Sequence, residues 1–357
     1  MISIVLGTRP EIIKMAPVIR ACQKKGIDFS VLHTGQHYSY EMDKIFFEEL
    51  SLPVPYCNLD VGSGTHAEQT GAIMCGIEKM YLENRPDIIL VQGDTNTALA
   101  GGLVGAKMHI PIGHVEAGLR SNDRSMPEEI NRVVVDHISE YLFAPTDDSC
   151  NNLVREGIDV TKIYNTGNTV VDSLIQHREI ARTKSGVLKR FGVTPNQYLL
   201  VTAHRAENVD DKSRIKGIIS GIQKVGQQYG MPIIFPMHPR TQKMIQEFGI
   251  NSEGITIISP VGYLDFLELE AHARLILTDS GGVQEEACIL RVPCVTLREN
   301  TERPETVEVG GNILAGSDPE SIVSSSERIM SSSRMWANPY GDGSAGEQIV
   351  EIIKSAD

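Results

Sequence analysis

Short apolar runs that read as strands alternate with amphipathic runs that read as helices along the whole chain, and few architectures accept that order. Strand, helix and strand in repeated succession give a parallel sheet covered by helices. The strand-like runs of the first half are 3–6, 29–33, 87–92, 110–114 and 141–144, with helical periodicity over 12–24 and 98–107. The second half repeats the scheme at 198–202, 233–236, 256–259, 275–278 and 294–297. A chain of 357 residues is too long for one ordinary core. The expected fold class is therefore α/β, with two Rossmann-like doubly wound domains. The boundary is expected near 167–173, giving a first domain of residues 1–168 and a second of 169–343. No internal sequence repeat accompanies the repeated architecture. Helical spacing continues after Asp318 and closes the chain over 345–354.

Composition removes several classes. No apolar stretch approaches the ~20 residues that a membrane-spanning helix requires. The chain opens on a strand with no basic region before it, so a secretory signal is not expected. A net charge of −13 opposes binding to nucleic acid or to anionic membranes. The six cysteines (Cys22, Cys57, Cys75, Cys150, Cys288, Cys294) are scattered without metal-ligand spacing. They are expected to be reduced core or near-core thiols of a cytoplasmic protein.

Open parallel sheets bind ligands outside the carboxyl ends of their strands, so the residues just past each strand deserve inspection. After the first strand comes Gly7-Thr8-Arg9-Pro10-Glu11, with Lys14 one turn further on. Arg9 and Lys14 fall on the helix-entry side, where both suit a phosphate, one by bidentate bonds and the other as a point charge. Gly93-Asp94-Thr95 follows the third run; Asp94 suits a helix cap as well as a site. His114-Val115-Glu116-Ala117-Gly118 follows the fourth, and Glu116 there caps no helix. Pro127-Glu128-Glu129 opens the next helix, where acidic residues are favoured by the helix dipole alone.

The second half places His204-Arg205-Ala206-Glu207-Asn208, then His238-Pro239-Arg240, then Asp279-Ser280-Gly281-Gly282 after successive strands. Small residues at a helix N-terminus let backbone N–H groups approach a phosphate. Glu286, one turn into that helix, is placed to accept hydrogen bonds from ribose hydroxyls. Carboxylates thus segregate to the first domain and anion binders to the second. Proton transfer near a departing diphosphate is the chemistry this suggests. No cluster has metal-ligand spacing, and no metal is expected.

Taken together, the clusters resemble the non-hydrolysing UDP-N-acetylglucosamine 2-epimerases nearly end to end. The resemblance is carried by Gly-Thr-Arg-Pro-Glu at 7–11, Thr-Gly-Gln-His at 34–37, Gly-Asp-Thr at 93–95 and His-Val-Glu-Ala-Gly-Leu-Arg at 114–120. It continues through Pro-Glu-Glu-Ile-Asn-Arg at 127–132, His204-Arg205 with Glu207-Asn208, the run 278–287, and Thr-Glu-Arg-Pro-Glu at 301–305. It implies the GT-B arrangement, two domains facing a central cleft, with the C-terminal helix 344–357 packing back onto the first. It also implies reversible interconversion of UDP-GlcNAc and UDP-ManNAc without an added cofactor, through elimination of UDP to a 2-acetamidoglucal and its re-addition. Closure about the 167–173 linker is expected to gate turnover. By position, Asp94, Glu116 and Glu128 are the catalytic carboxylates, and His204 assists departure of UDP. Arg9, Lys14, Arg205 and His238 lie on the substrate side, Ser280, Gly281 and Gly282 hold phosphate, and Glu286 holds ribose. Which carboxylate acts at each face stays open.

Many bacterial members bind a second UDP-GlcNAc as activator, through the loop that here contains Gln36, His37 and Glu41. That loop departs from their pattern, so both an activated and an unactivated enzyme stay open. The family also tends toward homodimers. Alternatives are a 2-epimerase of a related UDP-diacetamido or uronate sugar, a hydrolysing epimerase, a GT-B glycosyltransferase and a non-catalytic nucleotide-sugar sensor.

Overall fold

The computed structural model describes residues 1–35 and 46–355; Gln36, His37 and Glu41 lie outside the described residues. The chain divides into two compact units, Met1–Gln176 with Tyr340–Asp357, and His177–Pro339. The first change-over falls inside the helix Thr169–Lys184.

The first unit holds β1 (Ile2–Leu6), β2 (Phe29–His33), β3 (Cys57–Asn58), β4 (Ile88–Gln92), β5 (Ile112–Val115), β6 (Tyr141–Ala144) and β7 (Ile163–Asn165). They form one parallel sheet in the order β3-β2-β1-β4-β5-β6-β7. The second unit holds β8 (Leu199–Thr202), β9 (Ile233–Pro236), β10 (Ile255–Ile258), β11 (Leu275–Thr278), β12 (Cys294–Thr296) and β13 (Asn312–Leu314). Their order, β10-β9-β8-β11-β12-β13, is again all parallel. Each sheet is thus doubly wound, and its order reverses between the first and fourth strands. The reversal points are β1/β4 and β8/β11, where diverging crossovers leave a crevice at the strand ends.

Central strands are buried on both faces, as βα crossovers require; β1 and β4 carry no exposed residue. Helix ends carry local signals. Thr65 and Glu68 form a reciprocal capping box on the helix His66–Glu83. The helix Arg9–Lys25 starts with Pro10 in its first turn and ends at Gly26 in the left-handed region. The closing helix Ala345–Ser355 packs against that helix so tightly that a Cβ on Gly346 would lie 2.8 Å from the Pro17 backbone. Asp172 secures the contact by accepting a 2.9 Å bond from the Gly346 N–H.

Three of the strands, β3, β7 and β13, have no signature in the sequence, since two or three residues at a sheet edge show no periodicity. Among the described residues no helix is long and apolar enough to cross a membrane. Cys22, Cys288 and Cys294 are buried, but Cys75 is exposed on the helix His66–Glu83, so the expected core or near-core placement fails there.

Candidate active site

At the first reversal point the loop after β1 meets the loop after β4. Gly7 is required there by space: a Cβ would lie 1.9 Å from Thr34 Oγ1 and 2.5 Å from Thr97 Oγ1. Glu11 ties the two loops together. Its carboxyl accepts from the Gly7 N–H at 2.9 Å, the Thr8 hydroxyl at 2.8 Å and the Thr95 hydroxyl at 2.6 Å. Burial outweighs these bonds and pushes its pKa up to about 6.

Above this joint lies a cavity of about 350 Å³, lined in part by Thr8, His66, Asp94, Asn96, Glu128 and Asn131. Asp94 and Glu128 come from different strand ends and share it. Arg132 pairs with the Asp94 carboxylate, and Asn131 donates to the Asp94 carbonyl at 2.9 Å. Glu128 and Arg132 are four apart on the helix Pro127–Ile138, a spacing that puts both on one face.

The neighbouring glutamates of that helix have different roles. Glu129 is buried and accepts from the Ser121 N–H and hydroxyl, both at 2.9 Å, and from the Asn122 N–H at 3.1 Å. It fixes the preceding loop. Glu128 is exposed toward the cavity and lines it.

Glu116 sits just past β5, buried at 8% exposure. Its φ of 71° is in the left-handed region, which costs a non-glycine residue roughly 1 kcal/mol and is characteristic of functional turns. The Lys14 ammonium donates to both its oxygens, at 2.6 and 2.7 Å, and Gln92 donates to one of them. A carboxylate so held is fixed in orientation and protected from solvent.

In the second unit the reversal point brings His204, after β8, against Asp279, after β11. Asp279 is wholly buried and accepts from the N–H of His204 at 3.0 Å, the N–H of Arg205 at 2.9 Å and the Asn208 amide at 3.2 Å. His204 Nδ1 lies 3.3 Å from its other oxygen, while the ring is half-exposed. Burial alone would raise the Asp279 pKa; the hydrogen bond from His204, the Arg205 N–H and the His204 charge together bring it below the ordinary value. The helix Gly281–Ile289 starts beside this pair, with the Ser280 N–H bonded to Thr278 Oγ1 at 3.0 Å. Gly281 is buried and Gly282 exposed.

The other expected residues fall as follows. Arg9 lies over the Phe46 ring, 5.8 Å from its centroid. Arg205 reaches Glu302 at 3.6 Å. His238 is exposed and caps the helix Pro239–Glu247, its Nδ1 accepting from the Arg240 N–H at 3.2 Å. Glu286 hydrogen-bonds Glu270, whose pKa is raised well above the ordinary value by burial first and by the Glu286 charge second. Lys14 is bound to the Glu116 carboxylate. Sequence reasoning gave no role to Gln92, Arg132 or Asp279. Gln92 ends the third strand-like run, Arg132 and Asp279 lie inside the motifs it singled out, and the four-residue step from Glu128 to Arg132 was a usable signal.

A family model described as UDP-N-acetylglucosamine 2-epimerase matches residues 20–354. A UDP-N-acetylglucosamine 2-epimerase of Methanocaldococcus jannaschii is 57% identical, over 99% of this chain and 98% of that protein. The crystal structure of M. jannaschii UDP-GlcNAc 2-epimerase in complex with UDP-GlcNAc and UDP superposes with a TM-score of 0.86 over 99% of both chains, at 57% identity. A UDP-2,3-diacetamido-2,3-dideoxy-D-glucuronate 2-epimerase of Pseudomonas aeruginosa is 39% identical, over 98% of each chain. Two parallel-sheet units of GT-B type, the family match and these identities establish that the chain belongs to the UDP-N-acetylglucosamine 2-epimerase family.

Proposed function

We propose that the protein interconverts UDP-GlcNAc and UDP-ManNAc without hydrolysing either. The observation that carries this reading is the division of labour between the two reversal points. The first puts Asp94 and Glu128 on a polar cavity and holds Glu116, on Lys14, at the end of the adjacent strand β5. The second sets His204 against buried Asp279 beside a glycine-started helix.

In this reading a carboxylate of the first unit removes the proton at sugar C2. The C–H electron pair becomes the C1=C2 double bond as the C1–O bond breaks, and its electrons leave with UDP. His204, the Ser280 hydroxyl, the backbone N–H groups of Gly281 and Gly282, and Arg205 receive the charge developing on the diphosphate. The 2-acetamidoglucal then takes a proton on its opposite face while UDP adds back to C1. Lys14 holds the Glu116 carboxylate in place, and Arg132 does the same for Asp94. Glu286 takes the ribose hydroxyls, with Arg9 and His238 at the margin of the nucleotide sugar.

Substrate class follows from charge. The described lining of the cavity contains Asp94 and Glu128 and neither lysine nor arginine. With Asp94 already paired to Arg132, a sugar bearing a C6 carboxylate would face the like charge of Glu128 there, whereas a neutral 6-hydroxyl would not. The higher identity to the M. jannaschii UDP-N-acetylglucosamine 2-epimerase points the same way. The reading extends to a cytoplasmic homodimer, and leaves open whether a second UDP-GlcNAc activates it through Gln36, His37 and Glu41.

The test is positional isotope exchange. UDP-GlcNAc carrying ¹⁸O in the C1–O–P bridge is incubated with enzyme, and the label is followed by ³¹P NMR. Scrambling into non-bridging positions supports C1–O cleavage and return. Retention of label in the bridge while epimerisation proceeds would contradict the elimination route, and free ManNAc with UDP would show a hydrolase.

A further inference from the structure

His114 is fully buried on β5, between the two turns that carry Asp94 and Glu116. Its Nδ1 is 2.6 Å from Asp136 Oδ1 and its Nε2 is 2.8 Å from the Gly93 carbonyl oxygen. Both partners are acceptors. A neutral imidazole has one N–H and would leave two acceptors in close contact, without water to intervene. An imidazolium satisfies both contacts.

The charges around the ring agree. Asp136 is also fully buried, and its second oxygen is 2.7 Å from the Arg120 guanidinium. Arg120 in turn binds Glu156 at 2.6 Å, and His137 approaches the same carboxylate at 3.5 Å. Within the buried part Arg120 already balances Asp136, and Glu156, which reaches the surface, takes up the further positive charge of an imidazolium. Asp136 also accepts the Gly118 N–H at 3.2 Å, two residues past Glu116. The ring's far side holds the carbonyl of Gly93, one residue before Asp94.

We propose that His114 is a positioning residue of this site: an imidazolium clamped between Asp136 and the Gly93 carbonyl, locking the Asp94 turn to the Glu116 turn. His114 does not reach the substrate; it sets the spacing of two carboxylates that do. The proposal rests on the epimerase reading for its consequence, and on geometry alone for its protonation state.

Two measurements test it. Long-range ¹H–¹⁵N spectra of histidine-labelled enzyme, with the His114 signal identified from the His114→Gln variant or, failing that, from its protection from exchange, report both ring nitrogens. Two protonated nitrogens across neutral pH are expected; a ring with one pyridine-type nitrogen at neutral pH overturns the proposal. In steady-state kinetics His114→Gln, which bridges only one of the two acceptors, is expected to lower kcat about 10²-fold with little change in KM or UDP affinity. A folded variant with wild-type kcat overturns it. If that variant does not fold, the wild-type spectra decide. A wild-type enzyme with no turnover of UDP-GlcNAc would sink the epimerase reading instead, and the ring spectra would still report the clamp.

Discussion

The ammonium of Lys14 spans both carboxylate oxygens of Glu116, at 2.6 and 2.7 Å, across 102 residues of sequence. It joins the first helix of the sheet to the end of β5. Removing the cation leaves a buried carboxylate without the Lys14 counter-charge. Lys14→Met is therefore expected to destabilise the protein by roughly 3 kcal/mol and to lower kcat by more than it raises KM. Urea melts and initial rates check this together; a stable, fully active variant would remove Glu116 from the proposed chemistry.

Glu128 and Glu129 are adjacent yet should separate cleanly. Glu128 lines the cavity and supports no described loop, so Glu128→Gln should cost about 10²- to 10⁴-fold in kcat and leave the melting temperature unchanged. Glu129 accepts three bonds from Ser121 and Asn122. Glu129→Gln should cost roughly 2 kcal/mol of stability, seen in thermal melts. The opposite pattern would exchange their roles.

Asp279 holds three donors that shape the His204 loop. A carboxamide offers one acceptor oxygen and turns N–H groups toward the rest. Asp279→Asn is expected to weaken UDP binding about tenfold and to lower stability by roughly 2 kcal/mol. His204→Asn, at a half-exposed position, should lower kcat without that loss of stability. Calorimetric titration with UDP and denaturant melts distinguish the two.

Glu11 gives stability a pH dependence of definite sign. Its folded pKa of about 6 lies above the ordinary 4.5, so the folded state binds the proton more tightly. Its contribution is present below the ordinary value and is lost as pH rises from about 4.5 through 6. The amount is about 2 kcal/mol. Glu11→Gln should flatten this part of the stability curve; an unchanged slope would show that Glu11 is already ionised when folded.

Much of this architecture was legible in the sequence. Parallel strands covered by helices are largely apolar runs, and β2, β6, β9 and β11 have the bounds that those runs suggest. The motifs past the strands also announced themselves, because glycines and charges there break the apolar pattern. Partnership was not legible. Lys14 reads equally well as a phosphate ligand until the fold places it on Glu116. Glu128 and Glu129 have the same chemistry and dipole preference, and only burial separates them. The clamp at His114 was hidden because Asp136 reads as an ordinary helix residue 22 positions away. Residue type was local information, whereas charge compensation depended on which strand ends the sheet order made neighbours.

Proton NMR of the purified protein with UDP-GlcNAc in D₂O tests the central claim most directly. The account predicts UDP-ManNAc accumulating to equilibrium, with deuterium at C2 of both sugars and UDP remaining attached. Epimerisation with the C2 proton retained would contradict it, as would release of free ManNAc.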